Sequence, residues 1–396
     1  MWFHPQIKIN MKKILLITSE SIKLKSGGGL ANRAFHDSLM RHFPGLVDVV
    51  QLRHAASDVD AEHYFYVPPL CVCARLFSMV CGHYHRLYAW IPSFLKEHGK
   101  EYSHCVINSS TYGDVIGFLN EYGIKVATIH HNYEVNYQMD NKLPSTYGGR
   151  SAWMVRRNEN LAVNKSVLNM YLTQGDKKTI SETYDRSGKG THVVIGMYEP
   201  EHADVLSVPD ALLDGNSLAV CGSLSGLQTE NAIREMFDRY FDIIKNVVGN
   251  EMNLIIAGRD PGDYIKKMAA ANEQVTLMPN PDNIYNVIAK AGIFLCPVSS
   301  GSGIKLRVMD GLRLGMPVLV HEVSASGYEN FWNEPWFQVY NDRASFMKGL
   351  DAIRSLIKVD ADLRSVIVRK YREEFSFESG DKRFVKAITP FLDDRL

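Results

Sequence analysis

Short apolar runs alternate with longer amphipathic segments along most of this 396-residue chain. Ile14–Ser19 is apolar and ends in small polar residues, and after the glycines of Ser26–Gly29 an amphipathic segment spans Leu30–Phe43. Continuous apolar strands that alternate with helices are typical of a parallel sheet covered on both faces. The other predicted strands are Val47–Leu52, Cys105–Asn108, Lys125–His130, Val167–Leu172 and His192–Ile195 in the first half, and Leu218–Cys221, Leu254–Ala257, Val275–Met278, Ile293–Cys296 and Val318–Val320 in the second.

A segment rich in proline, aspartate and glycine, Gly196–Asn216, separates these two series of strands. The chain is also longer than one hydrophobic core usually supports. We therefore predict an α/β fold of two Rossmann-like doubly wound domains, an N-terminal domain over 1–197 and a C-terminal domain over 198–375. The amphipathic tail, 376–396, is predicted to be a helix that packs back on the first domain. Ligands of such sheets bind at the carboxyl ends of the strands, so the expected site is the cleft between the domains.

The charge balance argues against nucleic acid as the main partner, because lysine plus arginine and aspartate plus glutamate number 44 each. The six cysteines form no C-x-x-C pair and show no zinc-site spacing, and no secretory signal is evident. No apolar stretch reaches the roughly 20 residues that cross a bilayer. These features predict a cytoplasmic protein, either free or peripheral at the inner face of the membrane.

The most informative stretch runs from Cys296 to Asp310, where an apolar strand ends in a turn of small residues, Gly301-Ser302-Gly303. Glycines let backbone N–H groups approach a ligand, and a helix predicted to begin near Ile304 adds a positive dipole end. Lys305 adds a full positive charge. This combination predicts a site for phosphate oxygens. The alternative is a tight strand-to-helix turn with a surface lysine. A nucleotide-hydrolase loop is excluded, because no glycine precedes Lys305 and no serine or threonine follows it.

The spacing of several segments in the second half resembles that of the family 4 glycosyltransferases, which are retaining enzymes with the two-domain GT-B fold. The resemblance implies that the turn binds the diphosphate and sugar of a nucleotide sugar, and that Asp310 holds the donor ribose. It therefore implies a donor site formed by Gly222, Ser223, Arg259, Gly301, Ser302, Gly303, Ile304, Lys305 and Asp310. The segments that carry the resemblance are Cys221–Leu224, Leu254–Gly258, Gly301–Asp310 and Gly315–Val318.

Three positions depart from the pattern of this family. The first of its two glutamates falls on Ser302, and its phosphate-binding arginine and lysine fall on Ser223 and Gln228. A diphosphate needs charge-assisted donors. We therefore expect the missing positive charge to come from Lys305, Arg259 or Arg307; for Arg307 the alternative is a solvated surface side chain.

In the first half, Gly27, Gly28 and Gly29 follow the first strand. They do not form G-x-G-x-x-G, and Leu52-Arg53 stands where an NAD site needs an acid, so a dehydrogenase is a weak rival. In GT-B enzymes the corresponding loop faces the donor phosphates and the acceptor, and the resemblance implies that role here. A plain strand-to-helix turn is the alternative.

His131 and Glu134 follow a buried strand in the sequence Thr128–Glu134. The segment resembles the family's H-N-x-E variant, which implies that His131 meets the donor sugar near the reacting carbon. Glu134 is then either an acceptor-side base or a partner that orients His131, while His130 points the other way along the strand. A structural histidine is the alternative.

Four further features are interpreted mainly as structural. Glu159, Thr173 and Asp176 are expected to stabilise the N-terminal domain, and Asp58–Asp60 is interpreted as a loop and not as a metal-binding D-x-D. The aromatic segment Val67–Leu95 is expected to be one or two packed helices. Its alternative is a surface for a polyprenyl-linked acceptor or for a membrane.

Together these observations predict a hexosyl-type glycosyltransferase that moves a sugar from a nucleotide diphosphate to a saccharide or lipid-linked saccharide acceptor. Retention and a role in bacterial surface polysaccharide synthesis follow from the resemblance alone. No metal is required if lysine, arginine and backbone N–H groups carry the phosphate charge. Two alternatives stay open: a GT-B sugar-nucleotide epimerase, and a catalytically weak carbohydrate- or nucleotide-binding relative.

Overall fold

A computed structural model of the chain describes residues 12–19, 27–52, 63–80, 83, 86–140, 145–185, 188, 190–202 and 212–395. Within them the chain forms two compact units, one of residues 12–138, 145–201 and 380–395, and one of 139–140, 202 and 212–379. The pair Asp58–Asp60 and the tail Met1–Asn10 lie outside the described residues.

The first unit is built on a seven-stranded, all-parallel sheet in the order β3-β2-β1-β4-β5-β6-β7. Val47–Gln51 and Tyr102–Ile107 pair on either side of Lys13–Thr18, so the chain reverses its direction of winding between β1 and β4. The strands are β1 (Lys13–Thr18), β2 (Val47–Gln51), β3 (Tyr64–Tyr66), β4 (Tyr102–Ile107), β5 (Lys125–His130), β6 (Leu168–Tyr171) and β7 (Thr191–Val194). The helices are α1 (Gly27–His42), α2 (Val72–Val80), α3 (Leu87–His98), α4 (Ile116–Glu121), α5 (Glu134–Asp140), α6 (Ser145–Lys165) and α7 (Gln174–Tyr184).

The second unit repeats this topology in a six-stranded parallel sheet of order β10-β9-β8-β11-β12-β13. Here the reversal falls between β8 and β11. The strands are β8 (Ser217–Ser223), β9 (Asn253–Arg259), β10 (Val275–Pro279), β11 (Ile293–Cys296), β12 (Val318–His321) and β13 (Phe337–Tyr340). The helices are α8 (Leu227–Arg239), α9 (Phe241–Val248), α10 (Asp263–Ala270), α11 (Ile284–Ile288), α12 (Arg307–Arg313), α13 (Arg343–Val359) and α14 (Leu363–Phe375), followed by α15 (Phe377–Leu392).

Each sheet has its own hydrophobic core, which explains why the strands read as continuous apolar runs. Leu15, Ile17 and Ile107 pack in the first core, and Val220, Ile256 and Leu295 in the second, all at 2% exposure or less. The ring centroids of Phe384 in α15 and Phe35 in α1 are 5.7 Å apart. The C-terminal part of α15 therefore completes the core of the first unit.

Three structural expectations need correction. α1 begins at Gly27 and includes the three glycines, which were expected to form the preceding turn. α12 begins at Arg307 and not near Ile304, because Gly303 adopts φ +74° and Leu306 is the N-cap. Val67–Leu95 was expected to form one or two packed helices, and this holds for α3 with its buried Leu87 and Ile91. In α2, however, three apolar side chains at helical spacing are exposed: Val72, Leu76 and Val80.

Candidate donor site and polar strand ends

The carboxyl edge of the second sheet brings together two predicted segments at the point where the winding reverses. β8 ends in Gly222 and Ser223, and β11, its neighbour, leads into the turn that contains Gly301–Lys305. Open parallel sheets bind ligands at this position. Arg259 ends β9 one strand away, and its side chain and that of Ser223 are exposed. The predicted donor-site residues thus lie on adjacent strand ends of one unit.

The turn after β11 is held in place by contacts from α8. Gln228 donates through Nε2 to the Ser300 carbonyl at 2.8 Å, and Ser299 donates to the Glu235 carboxylate at 2.6 Å. Gly301 has φ +94°, and a Cβ at this position would come within 2.2 Å of Gln228 Nε2. The backbone angle favours glycine, and a larger residue would also have to displace the Gln228 amide from the Ser300 carbonyl. Gln228, which stands at the position of a phosphate-binding lysine in the family, therefore fixes the turn.

Lys305 is 7% exposed, and its ammonium group points into the turn. Its Nζ donates to the carbonyls of Ser302 at 2.7 Å and Gly303 at 3.4 Å, and its own carbonyl accepts a hydrogen bond from the Tyr328 hydroxyl. Ile304, which is half-buried, lies between Gly303 and Lys305 in the sequence. The lysine charge thus helps to organise the loop whose backbone N–H groups are predicted to meet phosphate.

Asp310 lies on α12 within a polar network. Its Oδ1 accepts a hydrogen bond from the Tyr285 hydroxyl at 3.1 Å, and that hydroxyl in turn accepts one from Arg313 at 3.3 Å. Burial, with the negative charge of Asp310, raises the pKa of Tyr285, so the phenol stays protonated and remains a donor. A carboxylate held in this way can accept hydrogen bonds from further hydroxyl groups.

Arg307, one of the candidates for the missing positive charge, is part of this edge, so the alternative of a solvated side chain is wrong. Its Nη2 donates to Thr229 Oγ1 at 3.1 Å, and a Cβ on Gly222 would come within 3.2 Å of its guanidinium carbon. Its Nη1 is shielded from solvent and has no hydrogen-bond partner. The position of Arg307, two residues after Lys305, could be seen in the sequence. The direction of its side chain could not, because that direction depends on where α12 begins.

In the first unit, the ends of adjacent strands carry uncharged polar groups. His131, which follows β5, donates through Nε2 to Asn108 Oδ1 at 2.5 Å, and Asn108, which follows β4, donates to Asn32 of α1 at 2.8 Å. Burial lowers the pKa of His131 to about 4, so the ring is neutral at pH 7. Because Nε2 carries the proton in this pair, Nδ1 is an acceptor. Gly27–Gly29 form the first turn of α1, in the same unit.

Glu134 is the first residue of α5 and is anchored by its backbone. Its N–H donates to Glu159 Oε1 at 2.8 Å, and its carboxylate accepts a hydrogen bond from Asn132. Burial raises the pKa of Glu134 to about 7. The hydrogen-bond partner that orients His131 is Asn108, which the sequence analysis did not identify as a site residue.

Behind these residues lies a set of buried acids. Glu159, fully buried, also accepts a hydrogen bond from the Tyr184 hydroxyl, and burial raises its pKa to about 8. Asp176 accepts hydrogen bonds from the Tyr133 N–H and from Thr173 Oγ1. Their hydrogen bonds fix the backbone around Tyr133 and Glu134. His130, on the strand itself, bonds Asn169 at 2.9 Å, on the side opposite to that of His131.

Within the described ranges, no group of three or more histidine, cysteine, aspartate or glutamate residues has the geometry to hold a metal ion. Over the same residues, none of the helices combines the length and the apolar character that a membrane crossing requires.

Comparison with protein families places the second unit among known domains. Residues 216–353, 138 of the 396 in the chain, match the family model described as glycosyl transferases group 1. The segments that carried the resemblance to family 4 glycosyltransferases fall within this range, so that resemblance is confirmed for the second unit. A comparison with curated proteins finds no match.

Solved structures resemble the whole chain. A structure described as TarM covers 96% of this chain and 99% of its own at 10% identity, with a TM-score of 0.67. Anabaena HepE in complex with UDP and glucose covers 96% and 99% at 12% identity, with a TM-score of 0.61. A glycosyltransferase from Rickettsia africae covers 97% and 100% at 12% identity, also with a TM-score of 0.61. At such low identity these likenesses establish the fold, which is the predicted GT-B fold of two Rossmann-like units. Within its second unit, residues 216–353 match the glycosyl transferases group 1 model.

Proposed function

We propose that this protein is a glycosyltransferase that moves a sugar from a nucleoside-diphosphate donor to a hydroxyl acceptor. The observation that carries the proposal is the position of the Gly301–Lys305 turn beside the end of β8, where the winding of the second sheet reverses. The match of this unit to group 1 glycosyl transferases supports it, and HepE has been crystallised with UDP and with glucose. We further propose a hexosyl donor, retention of configuration and a role in bacterial surface polysaccharide synthesis.

In this proposal the second unit binds the leaving group. The bond between the anomeric carbon and the phosphate oxygen breaks, and negative charge develops on the diphosphate. Backbone N–H groups of Gly301–Lys305, which need no reorganisation during the reaction, stabilise that charge together with the cationic side chains of this edge. Asp310 would accept hydroxyl hydrogen bonds from the ribose. This arrangement requires no metal ion.

His131 and Glu134 of the first unit are proposed to act on the hydroxyl groups. The neutral His131 ring would accept a hydrogen bond from a sugar hydroxyl through Nδ1, since its Nε2 is bonded to Asn108. Glu134, with its pKa raised to about 7, is suited to accept a proton near neutral pH. It would take the proton of the acceptor's hydroxyl group while the oxygen of that hydroxyl forms the new bond to the anomeric carbon.

The acceptor is proposed to be a saccharide or lipid-linked saccharide, used in the cytoplasm or at the inner face of the membrane. The exposed stripe Val72, Leu76 and Val80 on α2 favours a contact with lipid. Replacing all three by serine should weaken co-sedimentation with anionic phospholipid vesicles. The matched control is Val359→Ser, a single exposed valine of the second unit, which should change nothing. Equal sedimentation of the triple variant and the wild type would refute the lipid contact.

The donor is tested first by nucleotide binding. The full chain should be stabilised in thermal-shift assays by one of UDP, GDP, ADP and dTDP, and the corresponding nucleotide sugars should then release the diphosphate when a saccharide acceptor is present. Conversion of a nucleotide sugar without acceptor would favour an epimerase. Binding without turnover on any acceptor would favour a weak binding relative, and no stabilisation by any nucleotide would refute the proposal.

A further inference from the structure

The guanidinium group of Arg307 lies at the place where the winding of the second sheet reverses. It packs against Gly222 at the end of β8, where a Cβ would be 3.2 Å from its central carbon, and it donates to Thr229 in the first turn of α8. The side chain thus crosses from the start of α12 to the strand end that the donor site needs.

One nitrogen of this group has an unmet hydrogen bond. Arg307 Nη1 is shielded from solvent and has no partner, although a buried donor on a charged group is costly to leave unpaired. Among the described residues of the second unit, one other arginine, Arg364, has a buried nitrogen without a partner, its Nε. Arg364 lies at the opposite end of α12, where its Nη1 donates to the Leu314 carbonyl. An unpaired charged donor at a ligand-binding edge indicates a missing acceptor.

The Lys305 and Gln228 side chains at the turn are already engaged. The Lys305 ammonium is bonded to two carbonyls of its own loop, and the Gln228 amide is bonded to Ser300. Ser223 carries no charge, and Arg259 is exposed one strand away, at the end of β9. A diphosphate at this edge would therefore find on Arg307 Nη1 a donor that no protein group already uses.

We propose that Arg307, and not Lys305, supplies the side-chain charge that binds the donor's diphosphate, and that Lys305 instead holds the turn in shape. The proposal rests on the proposed function, since it names the ligand of the same site. Arginine suits this task because its planar group donates to two phosphate oxygens at once. Since Nη1 is covered in this structure, binding must be accompanied by a local shift of the side chains around the turn.

The test compares a nucleoside diphosphate with its nucleoside on the full chain, by titration calorimetry. The nucleotide is whichever of UDP, GDP, ADP and dTDP stabilises the wild type most. Arg307→Gln should weaken binding of the diphosphate roughly 10- to 100-fold and leave binding of the nucleoside unchanged. Arg307→Lys, which keeps the charge, should fall between. Arg369→Gln, an exposed arginine paired with Glu373 on α14, is the matched control and should bind like the wild type.

Melting temperatures without nucleotide separate the two roles. Arg307→Gln should melt at or above the wild-type temperature, because it removes an unpaired buried donor, whereas Lys305→Met should melt lower. Arg307→Gln with unchanged diphosphate affinity, or with equal losses for diphosphate and nucleoside, would overturn the assignment while the proposed donor site stands. A wild type that binds none of the four diphosphates would overturn both.

Discussion

The two units share one topology and differ in the chemistry of their strand ends. In the second unit the carboxyl edge carries the cations Arg259, Lys305 and Arg307 around a glycine turn. In the first unit the same edge carries neutral groups, His131 and Asn108, backed by acids whose pKa values are raised. Fold alone therefore does not determine what an edge binds. The second edge suits an anion, whereas the first suits hydroxyl groups.

The largest expected effect concerns the buried acid Glu159. Burial raises its pKa from an ordinary 4.5 to about 8, so the folded state binds more protons than the unfolded state. The stability associated with this group is present below pH 4.5 and is lost as pH rises through about 8. Glu159→Gln mimics the protonated acid. The difference in the free energy of unfolding between this variant and the wild type should rise by about 2–4 kcal/mol from pH 5 to pH 8.5.

Denaturant unfolding at several pH values measures this gain. Taking the difference between variant and wild type removes the opposite trend of His130 and His131, whose pKa values burial lowers to about 4. A difference that does not change with pH would mean that Glu159 is ionised in the folded chain, and the first unit would lose its neutral character.

The second prediction sharpens the contrast in function. His131→Ala should reduce turnover roughly 100-fold, a typical loss for a group that contacts the reacting sugar, without weakening diphosphate binding. Diphosphate release and calorimetry measure the two quantities on the same preparation. His98→Ala, a half-buried histidine of α3 in the same unit, is the control. Equal losses of turnover and diphosphate affinity would assign His131 to the diphosphate instead.

The third prediction tests the shape of the second edge with a matched pair of glycines. Gly301→Ala and Gly249→Ala both place alanine at positive φ, +94° and +88°, but only at Gly301 would the new Cβ meet Gln228. Each should lose about 1 kcal/mol or more of stability. Gly301→Ala alone should also weaken nucleoside-diphosphate binding. If Gly249→Ala weakens binding equally, the turn has no special role.

The smallest effect is expected at Asp310. If its carboxylate accepts ribose hydroxyl hydrogen bonds, Asp310→Asn should weaken UDP binding by roughly tenfold or less, and dTDP binding by a smaller factor, because the deoxyribose lacks one hydroxyl. Tyr285→Phe, which removes the hydroxyl bonded to Asp310, is a neighbouring control for loss of the network. If Asp310→Asn weakens UDP binding and dTDP binding by the same factor, Asp310 does not bind the 2′-hydroxyl.

Much of the fold could be predicted from apolar runs, because central parallel strands are covered on both faces. Two edge strands, β3 and β13, were not predicted. Each has only three or four residues, and in both the burial is partial. A strand with one neighbour needs fewer apolar residues, so its sequence resembles that of a loop.

The site was predicted as a set of segments but not as a set of contacts. The position of the turn and of His131 followed from strand ends and from family spacing. The partners Asn108 and Gln228, and the direction of Arg307, depend on which helix packs beside which strand. The direction of the Arg307 side chain depends on where α12 begins. Because the helix begins at Arg307, this side chain points towards Gly222.

The central claim is that the edge between β8 and β11 binds the donor's diphosphate. Hydrogen–deuterium exchange on the full chain, with and without the stabilising nucleoside diphosphate, tests it most directly. We predict slower exchange in peptides that cover 221–226 and 297–307, with little change in α13. Unchanged exchange in both peptides under saturating nucleotide would contradict the claim.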